Sequence, residues 1–176
     1  IRFFEKEFDG VMPLEIMIDT KKKNGAMKLT NLRRMEDLEE TITDIPELSK
    51  PLSIVNVAKS FNQAYYNGNP DFYTLPSPNE EFALLPYIKN SLKNSKDNQL
   101  KSYISNDGSV ARITTFIKDE NGEKMKSIET QLRNKINKIF PSPKYEVIIT
   151  GKSLVFQKGT KYLLDNLLSS LLFAFL

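Results

Sequence analysis

Two apolar stripes at helical pitch, each flanked by segments at strand pitch, constrain this chain more than any other feature. Leu32, Met35, Leu38, Ile42 and Ile45 recur at spacings of three and four, and so do Met125, Ile128, Leu132, Ile136 and Ile139. Such spacing lines one face of a helix with apolar side chains, and that face must be buried against another element. In the first helix Thr30 is the expected cap, Asn31 the first residue and Pro46 the stop. Arg33, Arg34, Glu36, Asp37, Glu39 and Glu40 are expected on its solvated face. The second helix ends before Pro141.

The strand signals are equally regular. Leu14, Ile16 and Ile18 alternate with Glu15, Met17 and Asp19 in residues 12–20, the period of a half-buried strand. Pro13 is tolerated because a strand's first residues can spare an N–H. Leu100 to Ile104 and Val110 to Ile117 read as two strands joined by Ser105-Asn106-Asp107-Gly108, since Asp-Gly between β-rich runs marks a hairpin. Tyr145 to Ile149 reads as the last strand, closed by Gly151.

Between the halves the pattern changes. Leu52 to Val55 can form a short strand, with Ser53 then capping a helix through Val57, Ala58, Phe61, Ala64 and Tyr65. An aromatic loop punctuated by prolines follows. Glu80 to Leu92 forms another helical run with Pro86 inside it, and 93–99 is a polar stretch. Without the middle helices the order is β-α-β-β-α-β. The expected fold is therefore α+β: a ferredoxin-like βαββαβ domain over 12–150, with a helical insertion at about 54–99. Residues 1–11 form a lead-in and 151–176 a linker and terminal helix.

Composition removes much chemistry. The chain has no Cys, His or Trp, which excludes disulfides, thiolate catalysis and the commonest general base and transition-metal ligand. A net charge of +3 with one tight basic run, Lys21-Lys22-Lys23, is a weak nucleic-acid signal that a solvated turn explains better. Ala111 to Phe116 offers one aromatic, too few for an RNA-stacking sheet. Asp9, Asp19, Asp37 and Asp44 fall on unrelated positions with no metal-ligand spacing. Ser53, Ser102 and Ser105 have no His to activate them, and pairing with Lys59 or Lys101 rests on adjacency alone. No catalytic residue, cofactor or metal is expected. The candidate surface is the aromatic cluster Phe61, Tyr65, Tyr66, Phe72, Tyr73 and Leu75. Its simplest account is a small core under a long loop; its functional account is a hydrophobic substrate surface or a contact with a companion domain.

The chain opens at Ile1 and closes at Leu176 in its most apolar stretch. This predicts a segment of a larger membrane protein. From Tyr162 polarity falls steadily toward Leu176, over a stretch too short for the roughly twenty residues that span a bilayer. The expected element is an apolar C-terminal helix, the beginning of a transmembrane helix. In isolation the segment from Leu163 to Leu176 is expected to self-associate or fold back on the domain.

Phe8-Asp9-Gly10-Val11-Met12-Pro13-Leu14-Glu15-Ile16-Met17-Ile18-Asp19-Thr20 resembles the segment after the seventh transmembrane helix in the resistance-nodulation-division (RND) superfamily, most of all in the branch of the MMPL exporters and Patched-like proteins. The steps at Ile45-Pro46, Pro51-Leu52-Ser53 and Tyr73-Thr74-Leu75-Pro76 agree in order with that pattern. So does Gly151 before an apolar helix like the eighth transmembrane helix. The resemblance implies a non-catalytic porter-type domain on the periplasmic side of a bacterial inner membrane, lining or gating an ion-gradient-driven route for a hydrophobic or lipid-like substrate. It implies as partners the companion extracytoplasmic domain and the transmembrane helices of the same polypeptide, and no nucleic acid. The alternative is a membrane-anchored envelope domain of ferredoxin-like fold that senses a ligand or binds a partner. A hydrolase using Asp or Ser ranks last.

Overall fold

Alternation along strand β1 (Met12–Asp19) puts Leu14, Ile16 and Ile18 on one face, where each is buried. The computed structural model describes residues 12–80, 101–118 and 122–175, together with Pro86 and Asn90. In it β1 is the centre of a three-stranded antiparallel sheet, ordered β2-β1-β3, with β2 at Val110–Ile117 and β3 at Glu146–Thr150. Ile16 stands opposite Ile113 on one side and Ile149 on the other. Period two then carries Ala111, Ile113, Ile117 and Ile149 onto the same buried face. The opposite face holds Met17, Phe116 and Ile148, all partly exposed, and an ion pair between Glu15 and Arg112 at 3.4 Å.

Both stripes form helices as expected. Helix α1 (Leu29–Thr43) buries Leu32, Met35, Leu38 and Ile42, and the later stripe lies on a helix at Gly122–Ile139. The two pack together and join the strand residues in one core. Arg34 ties them further. Its guanidinium donates to the carbonyl of Ile139 and lies 5.7 Å from the centroid of the Tyr145 ring. Thr30 is not the cap. A 3₁₀ turn at Gly25–Met27 runs straight into α1, and the Asn31 and Leu32 N–H groups both donate to the Lys28 carbonyl at 2.9 Å. Asn31 performs the anchoring: its amide donates to the Gly25 carbonyl at 2.7 Å and accepts from the Tyr145 hydroxyl at 2.7 Å.

The outer edge of β2 is shared by two segments. At one end Leu52 and Thr114 exchange N–H···O bonds of 2.8 and 2.9 Å, and the Ser49 N–H donates to the Phe116 carbonyl at 2.8 Å. At the other, the Arg112 N–H donates to the Tyr103 carbonyl at 2.9 Å, and Ile104 bridges to Ala111. The expected strand from Leu100 to Ile104 is thus a single bridge within the described residues, because the 48–52 segment occupies most of the edge. The segment from Leu52 to Val55 is not a strand either. Ser53 caps helix α2 (Ile54–Tyr65), which takes Ile54 and Val55. The later helix keeps chain order as α3, at Gly122–Ile139.

The Asp107-Gly108 turn forms as expected, with Gly108 at φ +69°. Hydroxyls of Ser105 (2.6 Å) and Ser109 (2.9 Å) and the Ser109 N–H (3.0 Å) all donate to one Asp107 carboxylate oxygen. These bonds hold its carboxyl at about 2, below its ordinary 3.8. The lead-in 1–11, most of the helical run after Glu80 and the stretch 93–99 lie outside the described residues.

Helix α4 (Lys152–Ala174) corrects the expected linker and apolar helix. It begins directly after Gly151, so Lys152, Lys158, Lys161 and Asp165 belong to it and the element as a whole is not apolar. Among the described residues no helix is long and apolar enough to cross a membrane. Leu163, Leu164, Leu167, Leu168, Leu171 and Leu172 form one face, between 53% and 69% exposed. Ser169 and Ser170 turn their hydroxyls back to the carbonyls of Asp165 and Asn166, at 2.7 and 2.8 Å.

Gly151 has φ +139°, and a Cβ there would stand 2.3 Å from the Pro13 carbonyl oxygen. Gly151→Ala is therefore expected to lower stability by roughly 1–3 kcal/mol in urea unfolding. Leu132→Ala, fully buried where α3 faces the sheet residues Leu14, Ile117 and Ile149, should cost about 2–5 kcal/mol.

Candidate functional site

Six residues of one segment were expected to form the candidate surface, and the fold brings them into two layers. Phe61 and Leu75 are half-buried and pack on the main core. The Tyr66 and Phe72 rings stack, their centroids 3.8 Å apart, and Tyr65 meets Tyr66 edge-on at 5.2 Å. Tyr65 and Tyr73 face outward, 60% and 43% exposed. Phe61, Tyr66, Phe72 and Leu75 are thus the packed members of the cluster, and Tyr65 and Tyr73 the exposed ones.

Asn62 is the peg that holds this loop. It is 2% exposed, and its amide nitrogen donates to the carbonyls of Phe72 and Thr74 at 3.2 and 3.1 Å. Glu80 closes the other end, accepting from the Tyr66 hydroxyl and, at 2.7 Å, from the Ser77 N–H. A 3₁₀ turn at Pro70–Phe72, capped by Asn69, shapes the tip.

Two grooves flank the first turns of α2. One, of about 320 Å³, is lined by Leu52, Val57, Phe61 and Tyr103, with Ser53 and Asn56 at its margin. It is mainly apolar and meets the aromatic cluster at Phe61. The other, of about 450 Å³, is polar and lies between α1 and α2, where Glu36, Glu39, Glu40 and Asp44 face Lys50, Asn56 and Lys59.

Glu39 was expected on the solvated face of α1, and the structure corrects this: it is 6% exposed. The Ser53 hydroxyl donates to its carboxylate, while the same oxygen accepts the Val55 N–H at 2.9 Å as the cap of α2. Lys59, the cation beside it, is held 2.7 Å from Glu36 instead. Burial pushes the Glu39 carboxyl up from 4.5 to about 7, against the Ser53 hydrogen bond and the Lys59 charge, which pull it down. Its position, two turns after Leu32 on the same side of α1, was a sequence signal for burial.

The other polar candidates are dispersed. Asp19 accepts the Lys21 N–H at 2.7 Å, Asp37 is solvated, Asp44 lines the polar groove, and Asp9 lies outside the described residues. Ser105 donates to Asp107 and Ser53 to Glu39, so neither hydroxyl is directed at a lysine. Among the described residues no group of acidic side chains could hold a metal ion.

No family model matches the chain, and no curated protein matches it significantly.

Two outcomes follow. Asn62→Ala removes the donors that hold the aromatic loop; limited proteolysis should then cut within 66–76, with a stability loss of about 1–3 kcal/mol. Glu39 binds its proton more tightly folded than unfolded. Its stabilising contribution is complete below 4.5 and is lost as pH rises toward about 7. Glu39→Gln should remove that decline and raise stability at pH 8 by about 3 kcal/mol in urea titrations.

Proposed function

We propose that this chain is a non-catalytic porter-type domain of a membrane exporter resembling the RND superfamily, in its MMPL/Patched-like branch, acting on the extracytoplasmic side. The observation that carries the reading is the leucine face of α4, which follows the sheet without a linker and stands exposed over most of its length. A face of that size is stable in water only when something covers it, and a lipid environment covers it without any further protein. The internally bonded hydroxyls of Ser169 and Ser170 suit such an environment, because they present no free donor along the helix.

The topology supports the same reading. Counting the 48–52 segment as a reduced edge strand, the spatial order is edge segment, β2, β1, β3, all neighbours antiparallel. With α1 and α3 together on the buried face, this order supports the reading of a ferredoxin-like split βαβ unit. Pro46 and Pro51 shorten the edge strand, since neither residue has an N–H to give to the ladder. The apolar groove beside Phe61 and the outward Tyr65 and Tyr73 form the surface on which a hydrophobic or lipid-like substrate would run.

Membrane association and substrate contact separate experimentally. The chain should co-sediment with phospholipid vesicles, and Leu167→Asn with Leu171→Asn should abolish this while the domain keeps its unfolding midpoint. A lipophilic fluorescent probe should brighten in the presence of the chain, and Tyr65→Ser with Tyr73→Ser should cut that signal several-fold. Vesicle binding without probe binding would favour a membrane-anchored envelope domain; absence of both would remove the exporter reading.

A further inference from the structure

Among the described residues Glu39 is the only buried carboxylate, and it sits in a joint between elements. Four sets of groups meet there. From α1 come Glu39 itself, Glu36, Glu40 and, at the helix end, Asp44; from α2 comes Lys59; from the segment between them comes Lys50. The fourth group is Ser53, whose hydroxyl serves two partners at once, donating to Glu39 and accepting from the Val55 N–H. Ser53 directly follows Leu52, which holds the outer edge of β2 through Thr114. One carboxyl therefore contacts the cap of α2, itself next in sequence to the sheet-edge residue Leu52, and lines the groove between α1 and α2.

We infer that the α1–α2 joint is a proton-operated latch, closed when Glu39 is neutral and loosened when it is ionised. The neutral carboxyl needs no counter-ion, so Lys59 stays with Glu36 and Ser53 holds both the carboxyl and the helix cap. Loss of the proton to the groove leaves a negative charge that burial opposes. Two groups can answer that charge: Lys59, which must leave Glu36, and water entering from the groove. Either motion pulls on the N-terminal half of α2, because Ser53 is its cap and Lys59 lies in its second turn. The carboxyl titrates near 7, so the latch operates across the neutral range. The apolar groove shares Ser53 and Asn56 with this turn, so loosening alters the mouth of the groove beside Phe61.

Amide hydrogen exchange of the whole chain in neutral detergent, corrected for the intrinsic pH dependence, reads the latch directly. The protection of Val55 should fall by about tenfold or more between pH 5.5 and 8.5, with a midpoint near 7. Glu39→Gln should make that protection independent of pH. Lys59→Met removes the charge that favours ionisation and should move the midpoint upward; Glu36→Gln removes the charge that opposes it and should move the midpoint downward. The two charge variants keep Glu39 in place, so they test the latch independently of the Gln variant. Flat protection in the unaltered chain overturns the proposal. So does pH dependence that survives Glu39→Gln, or midpoints that move the opposite way.

Discussion

Strand β1 carries the constraint on which everything else rests. Among the described residues it alone has a strand on both sides, and its inward residues Leu14, Ile16 and Ile18 are almost wholly excluded from water. A one-residue slip would reverse the two faces, exposing those three and burying Glu15, Met17 and Asp19. The pairings of Ile16 with Ile113 and Ile149 prevent it, and they set the register of both neighbours. Once the apolar face is fixed, the two striped helices have one place to go. Their mutual packing, with Arg34 reaching the end of α3, follows from the width of a three-stranded sheet.

Polar groups inside this core are arranged as joints between elements. Asn31 links the first 3₁₀ turn to Tyr145; Ser49 and Thr115 tie the edge segment to β2; Ser53 and Glu39 connect the two helices of the first half. Each answers a backbone or side-chain group that would otherwise be buried without a partner, at a cost of about 1–3 kcal/mol. Glu39 differs from the rest because it can change charge. The other joints are fixed by geometry, whereas this one depends on the medium in the groove beside it.

Elements whose burial repeats regularly were legible from the residues alone. The stripe from Met125 to Ile139, the alternation in β1 and β2, the Asp107-Gly108 turn and the Ser53 cap all lie where spacing and local chemistry put them. The failures share a physical cause, competition between distant segments. Leu100 to Ile104 has strand composition, yet the edge it would join is mostly taken by 48–52, and no local pattern announces that. Thr30 is a good capping residue left without a task because the helix already begins at Leu29, with Lys28 in the cap position. In the candidate surface the grouping of aromatics was visible, but the division between packed Phe72 and outward Tyr73 depends on Asn62, whose amide reaches across the loop. Glu39 was misplaced because a charged residue beside an apolar stripe is usually solvated.

The junction at Gly151 has mechanical meaning. The chain leaves β3 and enters α4 with no intervening loop, and the turn is pressed against the backbone of Pro13 and Leu14. A flexible tether would absorb rotation; this junction has no slack to absorb it. Tilting α4 by a few degrees therefore moves the far end of a long arm while applying torque at the opening of the central strand. A rotation of α4 would therefore bear directly on the start of the central strand, and the absence of a Cβ at Gly151 is what lets the two backbones lie so close.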